Sequence, residues 1–309
     1  MPESPRSPFP VPHSPLFNGV LPVDKPVGPT SHDAVALVRR ALRTRQVGHT
    51  GTLDPFASGL LLVCVGQATR LSEYLTGLPK AYAATLRLGE ITDTDDLTGG
   101  IVGGSDAWRG LSAEDIDGAV QRQVGTIQQL PPVYSAKKVD GERMYAVARR
   151  GGEVERRPVT VTIHSIRVTR VELPDVDFEV VCGSGTYIRA IARDAGEALG
   201  AGGHLRALRR TAVGVHSVED AVPLDALGDE ERVRAALLTP LDALAGLPRV
   251  AVDEAGAAAL GFGRTIPAPP GAPEGVPLAL AGADGRLLAI GERAGDAVKP
   301  RKVFPAEVA

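Results

Sequence analysis

One carboxylate in this chain stands where chemistry could be done. Asp54 lies in VGHTGTLDPFASGLLLVCVG (47–66), in a glycine- and threonine-rich turn directly before an aliphatic run. With few like charges nearby and backbone amides to hold it, such a carboxylate can act as a nucleophile. It can equally start a turn, because Asp-Pro is a common turn initiator and aspartate often bonds its own backbone. If buried it needs a cation to stay ionised, since desolvation raises a carboxyl pKa and a guanidinium lowers it. Arg189, in GSGTYIRAIARDAG, is the cation in the right setting. It is expected about one turn into a helix whose glycine-rich entrance permits close approach. Arg189 reads equally as a surface arginine at i, i+4 from Arg193, whose own exchange for lysine should be nearly silent. Aromatic residues are only 4% of the chain. Tyr82 and Tyr187 each follow a turn or start a strand, where a flat ring could stack on a base or pack into the core.

These groups need a scaffold. NGVLPVDKP reads as a short strand, and SHDAVALVRRALR as a helix capped by Ser31. LLLVCVG reads as a buried strand and ATRLSEYL as a helix. KAYAATLRLG alternates with period two, placing Tyr82, Ala84, Leu86 and Leu88 on one face. After the loop GEITDTDDLTGG, Ser112 caps a helix over SAEDIDGAVQRQV. The polar, basic stretch 131–152 predicts an excursion holding a short helix. Strands return in RPVTVTIHSIRVTRVEL and VDFEVVCG, followed by a helix with Gly200 beyond its end. Many strands with interspersed helices predict an α+β fold on a mixed, mostly antiparallel sheet. Residues 223–246 read as an acidic helical connector, and the Gly- and Pro-rich segment beyond Pro248 as a small β-rich module.

Composition narrows the function. With 309 residues, 43% hydrophobic and 23% charged, and no long apolar run, the chain reads as a soluble protein of two cores, cytoplasmic by default. The first seventeen residues hold six prolines and predict a disordered tail. Cys64 and Cys182 sit in apolar runs and read as reduced core residues. The six histidines form no metal-binding pattern, and no phosphate loop or dinucleotide fingerprint occurs, so neither metal nor cofactor is expected. The net charge of -3 hides a segregation. Residues 137–170 hold nine Lys or Arg against four acids, and Arg39, Arg40, Arg43 and Arg45 come with no acid among them. A basic face for phosphates fits this pattern, as does a merely solvated surface.

Taken together, GVLPVDKPVGPTSHDAV, VGHTGTLDPFASGLLLVCVGQATRLSEYL, KAYAATLRLGEITDTDD, PPVYSAKKVDGERMYAVARRG, CGSGTYIRAIARDAGEALG and HLRALRRTAVG resemble the TruB family of tRNA pseudouridine synthases. The motifs are collinear and cover roughly residues 18–217. The resemblance implies a pseudouridine synthase fold over 18–246 and a PUA-like RNA-binding domain over 247–309. It implies that Asp54 is the catalytic aspartate. His49, Tyr82, Tyr187, Arg189 and Leu208 would join the uridine pocket, with Lys25 in support. It further implies that uridine 55 of the tRNA T-loop is isomerised by base flipping and a C–N to C–C glycosyl exchange. No cofactor, membrane or obligate protein partner is implied, and a monomer is expected. The excursion 131–152 would clamp the RNA, and Arg189 would hold Asp54 through a bidentate fork.

Overall fold

The computed structural model describes residues 17–134, 138–139, 142–143 and 156–304. A ten-stranded sheet organises the larger part. Its strands are β1 (Gly19–Lys25), β2 (Val47–His49), β3 (Ser58–Val65), β4 (Lys80–Leu88), β5 (Gly125–Gln129), β6 (Val159–Glu172), β7 (Asp175–Cys182), β8 (Gly203–Val213), β9 (His216–Ser217) and β10 (Val222–Pro223). Their order is β10-β1-β3-β8-β4-β7-β6-β5, with β2 against β3 and β9 against β8. Only β1/β10 and β3/β8 run parallel, so the mixed, mostly antiparallel α+β expectation holds. In β4 burial alternates residue by residue, which turns Tyr82, Ala84, Leu86 and Leu88 inward as their spacing predicts.

Helices cover the sheet. On β4, β7 and β8, Leu86 and Phe178 pack with Ile116 and Val120 of α2 (Ala113–Gln121) and Ile191 of α3 (Ile188–Ala198). Each such side chain contributes about 1.5–3 kcal/mol by leaving water. Ser112 caps α2 as expected, in a reciprocal box with Asp115. The helix α1 (Ser31–Ala41) is capped by Thr30 and not by Ser31: the Thr30 hydroxyl accepts from Asp33 N–H, and the Asp33 carboxylate accepts from Thr30 N–H. Ser31 is freed for another task at the site. The helix predicted over ATRLSEYL is a 3-10 turn (Gly66–Leu71) running into one short α-turn (Ser72–Thr76). The acidic connector is likewise broken, with α4 (Glu230–Ala236) flanked by two 3-10 turns. Within 131–152, Lys138–Val139 and Glu142–Arg143 form a small hairpin, and the short helix expected there falls outside the described residues.

Of the proline-rich tail only Phe17 is described, and it is buried with α1 and α4, its ring under the Arg234 guanidinium, 4.5 Å to the centroid. The chain ends in a five-stranded sheet, as expected of a PUA-like module. Its strands β11 (Arg249–Ala251), β12 (Ile266–Pro267), β13 (Pro277–Ala281), β14 (Leu287–Ala294) and β15 (Ala297–Val303) run in the order β11-β13-β14-β15-β12, beside α5 (Glu254–Gly261). Ala279, Leu287, Ile290 and Phe304 of this part pack on Leu71, Leu75 and Leu244. Both cysteines are free and buried. No helix among the described residues is long and apolar enough to cross a membrane.

Candidate active site

Strand register brings the site together. Across the sheet, Gly59 of β3, Arg210 of β8, Tyr82 of β4 and Val180 of β7 lie in one row. Gly59 has φ +105, and a Cβ there would stand 2.2 Å from the Arg210 carbonyl, so only glycine lets β8 approach β3 this closely. The loop carrying Asp54 enters β3 just before that row. It is pinned from three sides. The Ser31 hydroxyl accepts from Leu53 N–H at 2.8 Å and donates to Leu53 O at 3.2 Å. Gly28 N–H donates to Pro55 O at 2.8 Å, and Arg210 Nη2 donates to Gly51 O at 3.0 Å.

Asp54 meets Arg189 as anticipated. Arg189 Nε stands 3.1 Å from Asp54 Oδ2, and the arginine side chain is 6% exposed against 37% for the aspartate. The predicted bidentate fork is not what the guanidinium makes. Its Nη1 turns to Asp96 Oδ2 at 3.2 Å and to Thr94 O at 3.0 Å, and Nη2 donates to Tyr134 O at 2.8 Å. Arg189 is therefore a hub between two carboxylates. It is also the second residue of α3, not a turn in, and the helix entrance is fixed by Gln129, which accepts from Tyr187 N–H and donates to Tyr187 O. Asp96 in turn accepts from Thr94 and Thr98 hydroxyls and from Thr98 N–H.

Charge balance sets the state of Asp54. Enclosure by protein pushes its carboxyl upward in pKa, the Arg189 guanidinium pulls it down, Asp96 raises it and Lys25 lowers it. Lys25 is fully buried, donates to Pro26 O and Pro29 O, and is pushed down to about 8 by desolvation. Asp54 opens on a cavity of about 260 Å³ lined also by Lys80, Tyr82, Tyr187, Arg189, Leu208 and Arg210. Tyr82 is 9% exposed, and burial raises its phenol pKa, so it stays protonated. Lys25 and His49 do not line this cavity. The His49 ring packs edge-on against His32 at 5.8 Å, its Nδ1 accepts from Gly51 N–H, and burial lowers its pKa, which keeps it neutral.

Several functional positions escaped the sequence. Asp96, Lys80, Arg210 and Gln129 are buried, and Asp96, Arg210 and Gln129 join the site through hydrogen bonds to residues 58 to 159 positions away. The one local sign was the acid-rich loop TDTDD. Arg193 is held more firmly than a nearly silent exchange for lysine implies. At 17% exposure, it pairs with Asp95 and Asp194 at 2.8 Å and donates to Leu130 O at 2.9 Å. Arg189 and Arg193 thus grip the same two segments, one helical turn apart.

A carboxylate held by a buried arginine thus opens on a tyrosine-lined cavity of this mixed sheet. Solved structures share the fold. A chain of a Cbf5-Nop10-Gar1 complex aligns with TM-score 0.73 at 29% identity, over 94% of this chain and 86% of that one. A chain in an H/ACA ribonucleoprotein bound to a substrate RNA containing 2′-deoxyuridine aligns with TM-score 0.73 at 28% identity, over the same shares. The family model for the TruB family pseudouridylate synthase N-terminal domain matches residues 39–188, and that for the tRNA pseudouridylate synthase B C-terminal domain matches 189–245. A tRNA pseudouridine synthase B of Arthrobacter sp. (strain FB24) is 46% identical over 94% of this chain and 97% of its own length. One of Burkholderia lata is 43% identical over 93% and 90%. The chain belongs to the TruB family.

Proposed function

We propose that this protein converts uridine 55 in the T-loop of tRNA to pseudouridine, with Asp54 as the attacking group. The observation that carries this reading is the Asp54–Arg189 pair at the mouth of the Tyr82-lined cavity. The reaction breaks the N1–C1′ bond and forms C5–C1′. The proton on C5 leaves and N1 gains one, so atoms and charge balance without a redox partner or group carrier. A carboxylate suits such an exchange, whether it adds to C1′, adds to C6 of the base or deprotonates the sugar. Arg189 and Lys25 keep it ionised despite its enclosure.

The base must first leave its stack, at a cost of a few kcal/mol. Tyr82 offers it a flat platform, with Tyr187 and Leu208 closing the cavity. His49, neutral and outside the cavity, can fill the space the base vacates. The catalytic domain spans 18–246, the basic segment 131–152 clamps the RNA, and 247–309 forms a PUA-like RNA-binding module. The protein works in the cytoplasm as a monomer. Asp54→Asn tests the centre of this reading: on bare T-arm transcript it should lose pseudouridine formation by at least about 10³-fold, as loss of a nucleophile does, while still binding tRNA. Full retained turnover would remove Asp54 from the chemistry.

A further inference from the structure

Most arginines among the described residues are held by a partner. Arg87, Arg167, Arg170, Arg209, Arg234 and Arg301 each face a carboxylate within 3.5 Å. Arg40, Arg43 and Arg45 are exposed and meet no carboxylate, ring or side-chain acceptor among the described residues. No acid lies between Asp33 and Asp54 to balance them. The fold puts all three on one knuckle, where α1 ends and the chain turns back into β2.

Backbone geometry makes the knuckle more than a solvated face. Leu42 caps α1, Arg43 N–H reaches Arg40 O and Thr44 N–H reaches Arg39 O. Arg43 follows the cap with φ 50, the left-handed conformation in which glycine is favoured and an L side chain is strained. An arginine kept there trades local stability for its charge. The knuckle is also tied to the site at both ends. The start of α1 holds the Asp54 loop through Ser31, and β2 leads within four residues to His49. Eleven helical residues span roughly 16 Å, a distance that covers about five phosphates of one strand.

We infer that Arg40, Arg43 and Arg45 form a phosphate-binding knuckle that takes the ribose-phosphate backbone of the RNA stem adjoining the target loop. This rests on the proposed RNA substrate and adds a contact outside the cavity. The test measures Kd across about 50–400 mM KCl, a range over which counterion release is read, for a T-arm hairpin and for full-length tRNA. Replacing all three arginines by glutamine should flatten the log Kd against log salt slope by roughly 2–3 on both RNAs, about 0.7–0.9 for each lost contact. Turnover at saturating RNA should stay at the wild-type value. Arg43→Gly alone should flatten the slope by about 1 while leaving Tm equal or higher, because the helix end is relieved. An unchanged slope overturns the inference, and so does a weaker Kd that merely follows a lower Tm. A loss confined to full-length tRNA overturns the assignment to the stem. Absence of pseudouridine formation by the wild-type chain would instead strike the proposed reaction, since the slope reads binding alone.

Discussion

The two larger sheets of this molecule bury different things. Among the described residues, the buried polar and charged ones are Lys25, Ser31, Thr50, Lys80, Thr92, Asp96, Gln123, Gln129, Arg189, His204 and Arg210, all on the ten-stranded side. The five-stranded sheet buries only apolar residues such as Val250, Leu278, Leu280 and Val298 among those described, and its ion pairs, such as Arg301 with Glu292, lie at the surface. Removing charge from water is costly unless partners compensate it. The larger sheet bears that cost where a carboxylate must be enclosed and still ionised; the smaller one has no such demand. A scaffold and a reaction chamber can therefore be told apart by what they desolvate.

That contrast can be broken experimentally. The largest effect is expected at Arg189, where lysine keeps the charge but cannot reach Asp54, Asp96 and the Tyr134 carbonyl at once. Arg189→Lys should lower kcat by about 10²–10³, as loss of a preorganised charged donor does. Arg193→Lys should cost clearly less, though about 1.5–3 kcal/mol of stability for the lost charged hydrogen bonds. Single-turnover rates and denaturant unfolding read the two, and equal kcat losses would contradict the hub role of Arg189.

A smaller effect is expected in pH dependence. Asp54 acts as its carboxylate and its pKa is raised, so the rate should climb with pH through an inflection above the ordinary carboxylate value. Lys25 pulls that inflection down. Lys25→Met should move it to higher pH, and a pH–rate profile with an unmoved acid limb would remove Lys25 from the balance. The smallest effect is expected on the other sheet. Glu292→Gln breaks an exposed pair with Arg301 and should change unfolding free energy by about 0.5 kcal/mol or less, with kcat untouched. A large loss there would erase the distinction between the two sheets.

Legibility in the sequence followed the range of the interactions. The alternation of β4 and the Ser112 cap are set within a few residues, and both were readable. The Asp54–Arg189 pair joins positions far apart; the glycine-rich helix entrance marked Arg189 as a candidate cation, and the motif resemblance strengthened that reading. Ser31 looked like a cap because it precedes a helical pattern, yet Thr30 caps the helix and Ser31 holds the catalytic loop. Arg193 looked replaceable by lysine because its partners, Asp95 and Leu130, come from distant loops.

By itself the sequence determined most of the strands and the longer helices, and which aspartate stands in a turn fit for attack, because propensity, capping and periodicity act between near neighbours. Only the tertiary structure decided that Arg189 divides itself between Asp54 and Asp96, that Lys25 and Arg210 are buried, and that Gly59 admits β8 beside β3. Ionisation of a carboxylate depends on every charge and every wall within several ångströms, and those neighbours are assembled by strand register, not by adjacency in the chain.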